Sequence, residues 1–149
     1  MKLLLVCTSG GHFSTMLGLK KFWSQHDRAW VTDFKEDTKS IANEEDVYWL
    51  PYQAPRDWVA VLRNFPATVR IVQREKPDLV ICTGASIAID FGVAAKLLGC
   101  KFMYVESISR STDLSVSGKL VYPIADEFYV QWEQLVGKYP RAIFKGTVV

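Results

Sequence analysis

Short apolar runs punctuate this chain, each followed at once by small or polar residues, and their spacing restricts the fold more than any other feature. Residues 3–7, 29–33, 47–50, 79–82, 101–105 and 127–130 all have strand length. The first and the fourth are apolar from end to end instead of alternating, the pattern of strands buried on both faces of a sheet. Segments of helical length lie between them. Residues 12–25 offer Met16, Leu19, Phe22 and Trp23 as a core face, and residues 56–74 carry Trp58, Leu62, Phe65, Val69 and Val72 at steps of four and three. Pro66 predicts a kink in that second helix. A mostly apolar helix runs to Leu98 with Gly99 as its C-terminal cap; another spans 114–122, and a short one follows Val130. Residues 34–46 read as a polar connection with at most one helical turn. Strands alternating with helices predict an α/β fold, a doubly wound, Rossmann-like parallel sheet forming one domain over residues 1–149. With 49% hydrophobic residues, the 149-residue chain has material for one substantial core.

Composition excludes several classes of function. A net charge of +2 is too small a bias for a duplex nucleic-acid binder, so no nucleic-acid partner is expected. Cys7, Cys82 and Cys100 give no disulfide framework and no zinc spacing, and read as reduced core residues of a cytoplasmic protein. The apolar start is too short for a secretory leader, and no run reaches the roughly 18 apolar residues of a membrane span. Any membrane attachment is therefore expected to be peripheral. No carboxylate pair has the spacing of a divalent-metal diphosphate site, so no metal is expected.

In a doubly wound sheet, ligands bind at the carboxyl ends of the strands. Three loops fall there. The first, Thr-Ser-Gly-Gly-His, lacks the third glycine of a dinucleotide fingerprint and the Gly-Lys-Ser/Thr of a Walker loop. Ser9, Gly10 and Gly11 still leave backbone N–H groups for an anionic or sugar oxygen. His12 stands in the first helical turn, where the dipole favours a neutral imidazole able to accept a proton. The bland reading is a tight turn with a capping histidine. The second loop offers Thr83, Gly84 and Ser86, with Ser86 a natural N-cap; pocket and purely structural roles are both open. The third places Glu106 directly after a buried strand, followed by Ser107 and Arg110. A carboxylate there suits a base or a holder of sugar hydroxyls, and Arg110 suits bidentate phosphate binding, against the alternative of an internal Glu106–Arg110 ion pair.

These pieces in this order, "SGGH", "PDLVICTGASIAIDFGVAAKLLG" and "KFMYVESISRS", resemble the acceptor-side subunit of two-component glycosyltransferases. That family includes the dolichol-pathway N-acetylglucosaminyltransferase subunit and the bacterial PssD-like proteins of polysaccharide and exopolysaccharide synthesis. The resemblance implies the N-terminal half of an inverting GT-B glycosyltransferase. This half would bind a polyprenyl-diphosphate-linked sugar, while a separate small catalytic subunit supplies the UDP-sugar donor site, without further cofactor. It implies His12 and Glu106 at the reaction centre, either one the base, and Ser9, Gly10, Gly11, Thr83, Gly84, Ser86, Ser107 and Arg110 around the acceptor. Eukaryotic members begin with a membrane-spanning segment, whereas Met1 here leads into the first strand. Trp58, Arg63, Phe65 and Arg70 are the expected contacts with the inner face of the membrane. Phe144, Val148 and Val149 are the expected partner contacts, with a terminal edge strand as the alternative. Two rivals stand beside this reading. One is a self-sufficient nucleotide-dependent enzyme such as an oxidoreductase, with Asp33, about 20 residues beyond the glycines, as its ribose-binding acid. The other is a non-catalytic membrane-recruiting scaffold.

Overall fold

The computed structural model describes residues 1–148. Its strands are β1 (Lys2–Val6), β2 (Asp27–Thr32), β3 (Val47–Trp49), β4 (Leu79–Cys82), β5 (Lys101–Val105), β6 (Glu127–Val130) and β7 (Ala142–Phe144). They form one seven-stranded sheet in the order β3-β2-β1-β4-β5-β6-β7, and every pairing is parallel. The helices are α1 (Gly11–Gly18), α2 (Lys20–Trp23), α3 (Trp58–Glu75), α4 (Ile87–Leu97), α5 (Val116–Val121) and α6 (Gln134–Lys138), with a 3-10 turn at Lys39–Asn43. The predicted α/β sheet is therefore present.

The period of two along each strand divides the core. Leu4, Val6, Val80, Cys82, Phe102, Tyr104 and Phe128 pack beneath Ile71 and Val72 of α3, Phe91 of α4, Val121 of α5 and Leu135 of α6. Leu3, Leu5 and Ile81 face the other way, against Phe13 and Met16 of α1 and Trp23 of α2. That second face is only partly covered. Beyond α1 and α2, Leu79, Ile81, Met103, Val105 and Tyr129 line an apolar groove of about 1060 Å³ whose wall includes residues 145–148.

Three expectations need correction. The helix predicted over 12–25 is two, because α1 ends at Gly18 and Leu19 forms the junction with α2. Helix α3 continues through Pro66; the donor that proline removes would have bonded the carbonyl of Leu62, and both residues are exposed, so that carbonyl is open to solvent. The predicted stripe of α3 holds at Phe65, Val69 and Val72, which pack on the core, but fails at its start. Ala60, Thr68, Ile71 and Val72 are buried, whereas Trp58 is 46% exposed and Leu62 76%. Finally, Phe144 is no free docking residue, since β7 pairs with β6 in register Val130↔Phe144 and Phe144 packs on the core. This is the edge-strand alternative.

Candidate functional site

Chain connections leave β1 toward β2 and β4 toward β5, in opposite directions along the sheet, so the crevice between the ends of β1 and β4 is the topological switch point. His12 arrives there from the first loop and Thr83 from the second, and they clasp each other. The Thr83 hydroxyl donates to the His12 carbonyl at 2.6 Å, and His12 Nδ1 lies 2.8 Å from the Thr83 carbonyl. A carbonyl only accepts, so Nδ1 carries the proton and Nε2 is the basic nitrogen of the neutral ring. Gly84 lies under the imidazole: with φ at +118°, a Cβ there would come within 2.5 Å of the ring.

A cavity of about 200 Å³ gathers His12, Ser86, Glu106, Ser107 and Arg110, and adds Arg56 and Trp58. Ser9, Gly10, Gly11, Thr83 and Gly84 do not line it. Thr83 and Gly84 act on His12 instead. The glycine turn is closed from outside: Ser9 donates its N–H and its hydroxyl to the two carboxylate oxygens of Asp33 (2.7 and 2.8 Å), and the Gly10 N–H donates to Asp37 (2.7 Å). Both oxygens of Asp33 are thus committed to Ser9, and the residue is 4% exposed, which removes it as a ready ribose ligand. Ser86 occupies the N-cap position of α4, but its side chain caps nothing. It accepts from Gln53 at 3.0 Å and donates to the Ala54 carbonyl at 3.3 Å, because the buried Gln53, held by Asn64, reaches it first.

Glu106 is 1% exposed and fully engaged. Oε1 accepts from the Ser107 N–H at 2.9 Å and Oε2 from the Ser115 N–H at 2.9 Å; the Ser115 hydroxyl lies 2.9 Å from Oε2, and the Tyr104 hydroxyl 3.4 Å from Oε1. The Glu106–Arg110 ion pair is not formed. Gly118 makes room for this carboxylate, since a Cβ there would stand 2.2 Å from Oε2. Burial, helped by the Glu106 charge, raises the Tyr104 hydroxyl well above its ordinary pKa. Ser115 was missed in the sequence, where the helix was expected to start at residue 114; it caps α5 by accepting from the Gly118 N–H at 3.0 Å.

One turn beyond Ser86, Asp90 is a further buried carboxyl, and neither of its oxygens has a partner. Burial pushes its pKa up to about 7. Burial also raises the Cys7 and Cys82 thiols, Cys82 to about 12, so neither supplies a thiolate nucleophile.

Arg56 escaped sequence reasoning. The Asp57 N–H donates to the Ala54 carbonyl at 3.2 Å, closing a turn in which Pro55 is second and Arg56 third, with φ at +61°. Proline followed by a left-handed residue is the type II pattern, whose third position normally takes glycine or asparagine. Arginine there carries a strain of about 1–3 kcal/mol. Of the residues expected at a membrane, Arg63 and Arg70 are exposed on α3, Trp58 lines the cavity, and Phe65 is half-buried against the core. Val148 donates its N–H to Gln131 at 2.6 Å, and Val149 lies outside the described residues. Among the described residues no helix is long and apolar enough to cross a membrane, and no three His, Cys, Asp or Glu side chains cluster as metal ligands.

Residues 52–148 match the family described as oligosaccharide biosynthesis protein Alg14 like. The chain belongs to this family. It is 41% identical to the human UDP-N-acetylglucosamine transferase subunit ALG14, in an alignment covering 100% of this chain and 83% of the human one. The subunit of that name from Yarrowia lipolytica is 30% identical, with 99% and 81% covered. Among solved structures, MurG from Acinetobacter baumannii superposes with a TM-score of 0.72 at 18% identity, covering 88% of this chain and 42% of that one. The S. aureus MnaA–UDP structure gives 0.79 at 17% identity, with 99% and 45% covered. The Alg14-like chain spans less than half of each of these two, and at such identity the likeness is one of fold, that of a GT-B half.

Proposed function

We propose that this chain is the acceptor-side subunit of a split, inverting glycosyltransferase, which joins a separate subunit to transfer N-acetylglucosamine from its UDP derivative to a polyprenyl-diphosphate-linked sugar. The names of its relatives support the donor and the split. The observation that carries the chemistry is His12, oriented through Nδ1 with Nε2 left basic beside a cavity at the switch point. The acceptor hydroxyl attacks the anomeric carbon of the donor sugar and gives its proton to Nε2. A C–O bond forms, and the bond to the departing nucleotide diphosphate breaks with its electron pair. Glu106 serves as a brace, holding the loop that carries Ser107 and Arg110 against the start of α5.

Membrane contact is assigned to the exposed face of α3, where Trp58, Val59 and Leu62 lie beside Arg63 and Arg70. The partner subunit is assigned to the apolar groove walled by residues 145–148, so deleting residues 147–149 should abolish complex formation while leaving the far-UV CD spectrum unchanged. The decisive assay co-purifies this chain with the subunit that its tagged form captures from native membranes. Transfer of labelled N-acetylglucosamine to a polyprenyl-diphosphate sugar should then require both chains. A chain that acts alone on a nucleotide cofactor would overturn this reading, as would a complex whose transfer is indifferent to His12.

A further inference from the structure

We propose that Arg56 and Arg110 form a clamp for a diphosphate at the cavity mouth, and that this diphosphate belongs to the lipid-linked acceptor. The inference rests on the acceptor-side reading above and assigns its anionic subsite to residues other than the glycine turn.

Two of the other arginines show what a structural guanidinium looks like here. Arg28 is tied to Glu45 through two nitrogens and to the carbonyls of Ser24 and His26, and Arg141 donates to the carbonyls of Tyr122, Pro123 and Ala125. Among the described residues, the guanidinium groups of Arg56 and Arg110 have neither an ion pair nor a hydrogen bond, a condition they share with Arg63, Arg70 and Arg74 on α3, but of these five only Arg56 and Arg110 line the same small cavity, from two different loops. Two unpaired forks facing one space suit a ligand with two adjacent anionic groups. The single acid lining that cavity, Glu106, already has its oxygens occupied by Ser107 and Ser115.

Backbone conformation adds a second observation. Arg56 occupies a left-handed turn position that favours glycine, so its side chain is kept at a conformational cost that the turn itself does not require. The glycine turn, by contrast, presents its Ser9 and Gly10 N–H groups to Asp33 and Asp37, and a phosphate there would meet two carboxylates. The source of the diphosphate follows from what lies beside Arg56. Trp58 lines the same cavity, and the exposed Val59 and Leu62 continue from it along α3, an apolar path for a polyprenyl chain leaving the diphosphate.

The test is calorimetric titration of the full chain with geranylgeranyl diphosphate below its micellar concentration, and in parallel with inorganic pyrophosphate and UDP-N-acetylglucosamine. Arg56→Gly is the informative variant, because glycine keeps the turn conformation and removes only the side chain. The expected result is geranylgeranyl diphosphate binding that falls at least tenfold in Arg56→Gly and in Arg110→Ala, less in Arg56→Lys, with a melting temperature unchanged in Arg110→Ala and Arg56→Lys and not lowered in Arg56→Gly, which relieves the left-handed turn. Pyrophosphate should bind more weakly with the same dependence. Wild-type affinity in Arg56→Gly overturns the clamp, as does a wild-type chain that binds neither diphosphate. Tighter, Arg56-dependent binding of UDP-N-acetylglucosamine overturns the lipid assignment. Transfer by the assembled complex separates the two claims: transfer indifferent to Arg56→Gly removes the clamp and leaves the acceptor-side reading, whereas Arg56-dependent lipid binding without transfer in any complex removes that reading and leaves the clamp.

Discussion

The loop after β1 and the loop after β5 each bring one proton-accepting side chain to the same cavity, and they hold it in opposite ways. His12 is half-buried and fastened at Nδ1 alone. Glu106 is buried and fastened at both oxygens. A general base must gain a proton without losing its position. Protonation of His12 at Nε2 leaves the Nδ1–H bond to Thr83 in place, whereas protonation of Glu106 would weaken the contacts that hold residues 106–115 together. Each side chain also sits over a glycine, Gly84 under the ring and Gly118 against the carboxylate, so both loops are packed for one particular occupant.

The sharpest way to break this contrast is kinetic. His12→Ala should lower transfer by at least about 10²-fold with the complex recovered in full yield. Should Glu106→Gln cost more than His12→Ala at an unchanged melting temperature, the two roles are reversed.

Asp90 supplies the reference case of a buried carboxyl with no partners at all. Its folded pKa of about 7 lies above the ordinary carboxylate value, so its contribution favours folding fully below about pH 4 and is lost as pH rises through 7. A rise of that size corresponds to roughly 4 kcal/mol. The stability of wild type relative to Asp90→Asn, followed by urea unfolding, should therefore fall steadily from pH 4 to pH 7.5. A difference that does not vary with pH would show that Asp90 is paired in solution.

Smaller effects probe the brace. Glu106→Gln turns an acceptor toward waiting donors into a further donor, and should destabilise the chain by about 1–3 kcal/mol while keeping most of the transfer rate. Gly118→Ala should reproduce the stability loss, because its Cβ collides with the same carboxylate. The smallest effect belongs to the surface of α3. Arg63→Glu with Arg70→Glu should weaken sedimentation with anionic liposomes by about 1 kcal/mol for each arginine removed, and unchanged sedimentation would put the membrane contact elsewhere.

Much of the sheet was readable because period and punctuation are local properties. The apolar runs marked β1, β4 and β5, and Gly99, with φ at +78°, follows the end of α4. The exposed start of the α3 stripe was not readable, since a stripe at Trp58 and Leu62 looks the same whether it faces a sheet or something outside the chain. Arg56 gave no signal, because Ala-Pro-Arg-Asp reveals its left-handed turn only once the Ala54–Asp57 bond is seen. The glycine turn misled for the converse reason: nothing near it in sequence announces the carboxylates of Asp33 and Asp37 that close it.

By itself the sequence determined the fold class, the family, and the three loops that gather at the strand ends, because these depend on hydrophobic period, turn residues and motif order along the chain. The tertiary structure alone decided which nitrogen of His12 is basic, that Glu106 is a bonded brace, that Asp90 is an unpartnered acid, and that Arg56 faces the cavity. Hydrogen-bond partners and burial are set by residues far apart in the chain: Thr83 lies 71 residues from His12 and Asp33 lies 24 from Ser9. Only the packed sheet brings them within reach.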